Sequence, residues 1–513
     1  IIYGKTTAYG NQVTDTNQVV NHQVVLTGLQ PATIYHTKLV SANAGGSTNT
    51  SDYIVSTSSL NSSGAMNVYF SRSVNTSLAR GENAQTANLS TKAISRINAA
   101  TSSIDVALYS LSGTVGANIA TALVAAKNRG VKVRVIGEKD NQSTAPWTTL
   151  KNGSVPVIDD GFDVTNGGVG LMHNKFLVID NRDTTSDTDD WVMFGSWNAT
   201  DPGTDNDAQN LMEVQDKALA NAYTVEFEEM WGSNTETANA ATSRFGARKY
   251  DNTPHFFNIK GTPVESYFSP SDRTNAQIIK TVNKAKYSVN LALLTFTRSD
   301  IANALVAKKK AGVKIRGVVD NRTDSGSQYD TLFAQGVDIH LKANVPGLLH
   351  HKYAIIDADS PDSLQYVVTG SHNWSSAAEN TNNENTIIIR SRRIANLYVQ
   401  EFSPRYTDAG GTGVLLSVIP SDGISPKSYS LSQNYPNPFN PSTQIQFSVA
   451  QKGLVTVSIF DILGREVSTI LNQELNAGSY SLDWNASHFS SGVYFYRMTS
   501  GNFNATKKMI LQK

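Results

Sequence analysis

The chain has 513 residues, 43 basic and 43 acidic side chains, 39% hydrophobic residues and no cysteine. This excludes a disulfide scaffold, a collagen and a highly charged disordered tail, and the length predicts three or four domains, each with its own core. No run approaches the ~18 apolar residues of a membrane span, and Ile1-Ile2-Tyr3 lacks the parts of an export signal, so the chain reads as soluble or already processed.

Residues 1–59 alternate apolar and polar side chains around turn signals, as in Gln23-Val24-Val25-Leu26-Thr27-Gly28-Leu29 and the run from Tyr35 to Leu39. This pattern predicts short strands of a β-sandwich. Leu29-Gln30-Pro31-Ala32-Thr33-Ile34-Tyr35 resembles the tyrosine corner of fibronectin type III domains, and Thr7-Ala8-Tyr9-Gly10 resembles a preceding strand and turn. The resemblance covers only the later strands, and the pattern opens mid-strand at Ile1, as in a longer chain. Ser58 to Gly64, rich in Ser and Asn, reads as a linker.

The next two segments, 60–250 and 251–410, are copies of one unit. Ile119-Ala120-Thr121-Ala122-Leu123-Val124-Ala125 recurs as Ile301-Ala302-Asn303-Ala304-Leu305-Val306-Ala307, 182 positions later. Each copy has helical spacing, a Gly stop at Gly130 or Gly312, and then an alternating strand, Val131 to Arg134 or Val313 to Arg316. Upstream, Ile104–Tyr109 matches Val289–Leu294, and Val68–Ser71 matches Ser266–Ser269. The expected fold is multidomain: a duplicated α/β core of two lobes flanked by β-sandwich domains.

Each lobe carries the same pattern of chemistry-bearing residues. His173-Asn174-Lys175 leads through four residues to Asp180, and His350-His351-Lys352 leads likewise to Asp357. Residues i and i+2 of a strand share a face, so each histidine stands beside its lysine. Gly195-Ser196-Trp197-Asn198 and Gly370-Ser371-His372-Asn373 follow, with hydroxyls and amides able to donate toward an oxyanion. Asn382-Asn383-Glu384-Asn385 supplies a carboxylate where the first lobe has Asp207-Ala208-Gln209-Asn210. Protonated lysine is a poor metal ligand and cysteine is absent, which disfavours a catalytic metal.

Two histidines and two lysines around one cavity suit a phosphodiester. One imidazole attacks phosphorus while the other protonates the departing alkoxide and then activates water. Strand parity leaves Asp180 and Asp357 as supporting members of these motifs and turns His351 away from His350.

The doubled His-x-Lys-x4-Asp with Gly-Ser-x-Asn resembles the phospholipase D superfamily over about residues 64–405. The resemblance implies a cleft between paired α/β lobes, with His173 as nucleophile and His350 as acid and base, although the pattern itself is nearly symmetric. It further implies Lys175, Lys352, Asn198 and Asn373 around the phosphate, Ser196 and Ser371 supporting that site, and Glu384 assisting His350 or a neighbouring donor. Lipid hydrolysis, transfer of the phosphatidyl group to another alcohol, and nonspecific nucleic-acid cleavage all occur in that superfamily. A noncatalytic surface or adhesive role is the remaining alternative.

Neither lobe has a dominant basic footprint for nucleic acid, Lys308-Lys309-Lys310 being a local exception that reads as a solvated helix face. Phospholipid is therefore the preferred substrate and nucleic acid the alternative. No cofactor is required by this chemistry. The acidic loop from Asp183 to Asp190 would repel DNA beside the cleft, or could hold a weak calcium ion. The sequence leaves the oligomeric state open.

Residues 411–427 read as a linker. Beyond it, Asn434-Tyr435-Pro436-Asn437-Pro438-Phe439-Asn440-Pro441, Asp461-Ile462-Leu463-Gly464-Arg465-Glu466-Val467 and Ser491-Gly492-Val493-Tyr494-Phe495-Tyr496 resemble the C-terminal sorting domain of the bacterial type IX secretion system, over 428–513. The alternating Tyr, Phe and Val predict a small β-sandwich. The resemblance implies secretion machinery as a partner and a secreted or cell-surface location.

Overall fold

The computed structural model describes residues 1–17, 19–184, 186–360, 364–412, 416–419, 426–475, 477–486 and 489–512. Most of the expected linker at 411–427 lies outside the described residues. Among those described, no helix is long and apolar enough to cross a membrane.

The repeated sequence forms two eight-stranded mixed sheets. In the first, the order is Val157–Asp159, Lys132–Gly137, Ser103–Leu108, Lys175–Ile179, Trp191–Gly195, Asn210–Gln215, Met66–Phe70, Gln85–Thr86. In the second, Asp338–Leu341, Lys314–Val319, Ser288–Leu293, Lys352–Ile356, Tyr366–Gly370, Glu384–Arg390 and Thr262–Ser269 follow the same logic, with Phe256–Ile259 at the edge. Parallel pairing is confined to three strands at one side of each sheet and to the short Gln85–Thr86 edge; the intervening pairs are antiparallel. The repeated helices span Gly113–Asn128 and Ser299–Lys310, and Gly130 and Gly312 beyond them adopt φ of 94° and 89°, which glycine tolerates without strain.

One apolar core joins the lobes. Helices Lys217–Trp231 and Arg392–Asp408 contribute Tyr223, Phe227, Tyr398 and Phe402, which pack with Phe176 and Phe194 of the first sheet and Phe268 and Tyr353 of the second. The Tyr223 ring meets Phe176 of one sheet and Phe268 of the other at centroid distances of 5.2 and 5.0 Å. Removing such a buried ring costs about 3–5 kcal/mol, so the lobes are held in a defined mutual position.

At the N-terminus, Ile2–Gly4, Asn11–Gln12, Ile34–Lys38 and Tyr53–Ser56 form one four-stranded sheet, with a separate ribbon of Val40–Asn43 and Gly46–Asn49. The Tyr35 hydroxyl accepts from the Gln30 amide at 3.0 Å, the contact expected of that corner. The predicted strand at 23–29 does not form; Val24 and Leu26 are half-buried and Val25 is 69% exposed, so the alternation is kept, but the segment pairs with no strand among the described residues. At the C-terminus, two four-stranded antiparallel sheets enclose a common core that includes Ile445, Phe447, Val457, Leu482, Tyr496 and Met498.

Candidate active site

The histidine of each motif lies just before a central strand, where the chain enters the sheet from the lobe boundary. Met172 forms a parallel bridge with Asn383, and Leu349 forms the equivalent bridge with Ala208. The segment before each histidine is thus held by the other lobe, and the two motifs face each other about a pseudo-twofold axis. His173, Lys175, His350 and Lys352 are all buried. The two reciprocal bridges bring both motifs to one lobe boundary, where burial holds His350 below its ordinary value and Lys352, Lys175 and His173 add to that effect.

The lysines fold back onto the chain beside them. Lys175 Nζ donates to the His173 carbonyl at 2.8 Å, and Lys352 Nζ donates to the His350 carbonyl at 2.6 Å. The Tyr109 ring lies edge-on to His173, centroids 4.7 Å apart, and the Lys175 ammonium sits 4.9 Å from the centre of that same ring. Leu294 occupies the corresponding place in the second lobe.

The histidines differ in what holds them. His173 Nδ1 donates to Glu384 Oε2 at 2.8 Å, whereas His350 Nδ1 donates to Gln209 Oε1 at 2.8 Å and to the Ser196 carbonyl at 3.0 Å. Because these partners are acceptors, the proton resides on Nδ1 and the lone pair of each neutral ring is left on Nε2. Of the two expected partners, His350 or a neighbouring donor, Glu384 takes donors beside it, Ser371 of its own lobe and His173 of the other; its strand begins at the lobe boundary, which brings the carboxylate to the opposite lobe's histidine. The equivalence of Gln209 and Glu384 in the repeat was the signal that would have found Gln209.

The serines also act differently from expectation. Ser371 Oγ donates to Glu384 Oε2 at 2.7 Å and accepts from the Asn385 amide at 3.0 Å; Ser196 Oγ accepts from the Asn210 amide at 3.0 Å. Both oxygens pin the adjacent strand, and Ser371 also holds the carboxylate that binds His173. The preceding glycines permit this close approach: a Cβ on Gly195 would meet the Asn210 carbonyl at 2.4 Å, and one on Gly370 the Asn385 carbonyl at 2.2 Å. Asn198 and Asn373 are half-buried, their Oδ1 atoms are buried without a partner, and their amides donate to no protein group among the described residues.

Asp180 and Asp357 lie at the far ends of the strands, about 17 Å from their lysines at ~3.3 Å per residue. Asp180 accepts from the amides of Thr101, Ser102 and Ser103 at 2.7–3.1 Å, and Asp357 from those of Lys286, Tyr287 and Ser288 at the same range. Their grouping with the catalytic residues is corrected: they close the turn that enters the neighbouring strand. His351 faces away from the cleft, accepting from Asn210 Nδ2 at 3.1 Å and donating to Glu401 at 3.0 Å. His372 is buried, 3.6 Å from Glu379.

The acidic loop follows Asp180 and so lies at the end of the strand remote from His173. Its centre is occupied by the Lys217 ammonium, which donates to the carbonyls of Asn181 and Asp183 at 3.1 Å and to Asp190 Oδ1 at 2.8 Å. These are oxygens a calcium ion would have used.

Burial sets the charge state of the cleft. It pushes His173 down to about 4, with Lys175 and Lys352 adding to the effect and Glu384 opposing it. It pushes Lys175 down to about 7 against the attraction of Glu384, and holds His350 and Lys352 well below their ordinary values. Burial also pushes the Glu384 carboxyl up, but His173 and Lys175 outweigh it and keep the group below the usual range. An anion entering the cleft would offset the burial and raise the proton affinity of these groups.

The family model described as "Cardiolipin synthase, PLD-like domain" matches residues 93–231 and 278–405, just over half of the chain. The chain belongs to this phospholipase D-like family. A second family model, "Secretion system C-terminal sorting domain", matches residues 433–512, so the phospholipase D-like core carries a sorting domain at its C-terminus. The mitochondrial cardiolipin hydrolase of Xenopus tropicalis is 33% identical over 134 residues, 26% of this chain and 60% of that protein. A phospholipase D of Rickettsia prowazekii is 31% identical over 146 residues, 28% of this chain and 68% of the relative. The crystal structure of Nuc, a phospholipase D family member from Salmonella typhimurium, is 28% identical and covers 29% of this chain and 95% of its own, with a TM-score of 0.26. The chain spans about 60% of the length of the first of these relatives.

Proposed function

We propose that this chain is an exported phosphodiesterase that hydrolyses phospholipid headgroup esters through a phosphohistidine on His173. The observation that carries the assignment is the unequal support of the two rings, a carboxylate on His173 and an amide on His350. A carboxylate on Nδ1 raises the electron density at Nε2 and stabilises the positive charge that grows on the attacking ring, whereas an amide only orients it.

In this reading Lys175, Lys352 and the amides of Asn198 and Asn373 hold the non-bridging phosphoryl oxygens. The anionic diester favours a second proton on His350, at Nε2. His173 Nε2 attacks phosphorus, the bond to the leaving oxygen breaks, and His350 passes its Nε2 proton to that oxygen. His350 then takes a proton from water, whose oxygen displaces His173 from phosphorus. Two in-line displacements leave the configuration at phosphorus retained, and an alcohol in place of water yields transfer instead of hydrolysis.

The lipid reading is supported by the relatives named cardiolipin hydrolase and phospholipase D and by the even balance of acidic and basic residues. Export to the cell surface or medium is supported by the sorting domain. Choline release from phosphatidylcholine vesicles, run beside plasmid nicking with and without EDTA, tests it. Lipid turnover exceeding nicking and lost in His173→Ala is expected; nicking alone would transfer the reading to nucleic acid.

A further inference from the structure

The two halves of the cleft carry similar groups in a different order. Asn382 and Glu384 on the second lobe's strand stand where the first lobe has Asp207 and Gln209. Glu384 and Gln209 serve the histidines. Asn382 Oδ1 accepts from the Leu171 amide at 3.1 Å, and Asp207 Oδ1 accepts from the Leu348 amide at 2.8 Å. Carboxylate and amide have exchanged places.

A second pair completes the grip. The buried Glu138 accepts from the Met172 amide at 2.6 Å, and Asp320 accepts from the Leu349 amide at 2.7 Å. Before His350, therefore, two adjacent amides are bound by two carboxylates, one from each lobe. Lys342 Nζ ties the arrangement together, donating to Asp320 Oδ1 and to the Gly347 carbonyl, each at 2.6 Å.

The first half-site serves as an internal control. Asn382 satisfies the Leu171 amide with a neutral carbonyl, so amide satisfaction alone does not require a carboxylate at that place. A buried carboxylate is the costlier acceptor to desolvate. Its compensation is Lys352: burial lowers that ammonium's proton affinity and Lys175 adds to the effect, whereas the charges of Glu384, Asp207 and Asp320 oppose it, with His350 Nδ1 3.2 Å away.

We propose that Asp207 and Asp320 are positioning residues of the second half-site, seating the loop before His350 through Leu348 and Leu349 and supplying the negative charge that faces Lys352. The inference rests on the phosphodiesterase reading only for its kinetic readout, since the same lysine binds a phosphate oxygen whether or not turnover follows.

The experiment uses Asp207→Asn and Asp320→Asn in the full chain. Both keep an oxygen for the amide and remove the charge. Hydrolysis of bis(p-nitrophenyl) phosphate is followed against pH, and binding of inorganic phosphate is measured calorimetrically over the same range. The expected result is an alkaline limb displaced downward by about one pH unit in both measurements and phosphate affinity reduced about fivefold at the wild-type limb and about tenfold well above it, with Tm close to wild type. A limb at the wild-type pH, a loss equal at every pH, or a wild-type chain that binds no phosphate overturns the proposal. A wild type that binds phosphate but cleaves no diester, with the variants' binding limb still displaced, removes the phosphodiesterase reading and leaves this one standing. Should Asp207→Asn not fold, Asp320→Asn, at the C-terminal end of its own lobe's strand, decides the matter.

Discussion

Glu384 and His173, 211 residues apart and on different lobes, meet at 2.8 Å in the buried cleft. The ring proposed to attack therefore lies on the first lobe, and its carboxylate partner arrives only when the second lobe has docked. Gln209 makes the reciprocal contact with His350 without carrying charge. A nearly symmetric duplication thus yields an asymmetric site.

Glu384→Gln keeps a hydrogen-bond acceptor beside His173 and removes its charge. The expected loss in kcat/KM is about 100-fold, at the lower end of what general acid–base assistance supplies. Rapid quench with labelled substrate and peptide mapping should find the acid-labile phosphoryl group on His173 in the wild type. A label on His350 reverses the assignment.

The pH profile follows from the buried charges. The attacking form of His173 is neutral, and with the group pushed down to about 4 the acid limb of kcat/KM lies near 4 instead of near 6.5. Lys175, pushed down to about 7, and Lys352, held well below its ordinary value, must both be charged to hold the phosphate, so the alkaline limb of the free enzyme lies at or below about 7; in kcat it moves upward because the bound anion restores the proton. For stability, the unfolded chain takes up a proton near pH 6.5 that folded His173 refuses until about 4. Urea midpoints should therefore fall as the pH drops through that window.

Asp180→Ala and Asp357→Ala should destabilise without slowing chemistry. Each carboxylate binds three consecutive amides, and its removal leaves one buried donor, Ser103 or Ser288, and two partly buried bonds unmatched at a cost of about 2–3 kcal/mol. Asp180 has a left-handed backbone, φ 60°, so Asp180→Asn is the milder change. Urea titration measures the loss; kcat per folded molecule should remain near wild type.

Lys217→Met should loosen the acidic loop by about 3–5 kcal/mol, because Asp190 would keep a buried carboxylate without its cation. Thermal unfolding and proteolysis between 183 and 190 measure it. Cleft activity should be unchanged by EDTA in the wild type.

Deletion of 428–513 should leave the phospholipase D-like core folded and prevent its export, with activity found in the cell fraction of a host carrying the secretion machinery. Equal activity in the medium would separate export from the sorting domain.

The sequence by itself determined the repeated lobes, the strand parity that sets His173 beside Lys175 and His350 beside Lys352, and the helix stops at Gly130 and Gly312. These are local or periodic properties, written in neighbouring residues. Only the tertiary structure decided that Glu384 serves His173, that Ser196 and Ser371 pin strands, that Asp180 and Asp357 close turns remote from the cleft, and that the run at 23–29 lacks a sheet to join. The reason is geometric. A hydrogen-bond partner is chosen by which strand ends meet, and the Met172–Asn383 and Leu349–Ala208 bridges exist only after two sheets have buried Tyr223 and Tyr398 in a common core.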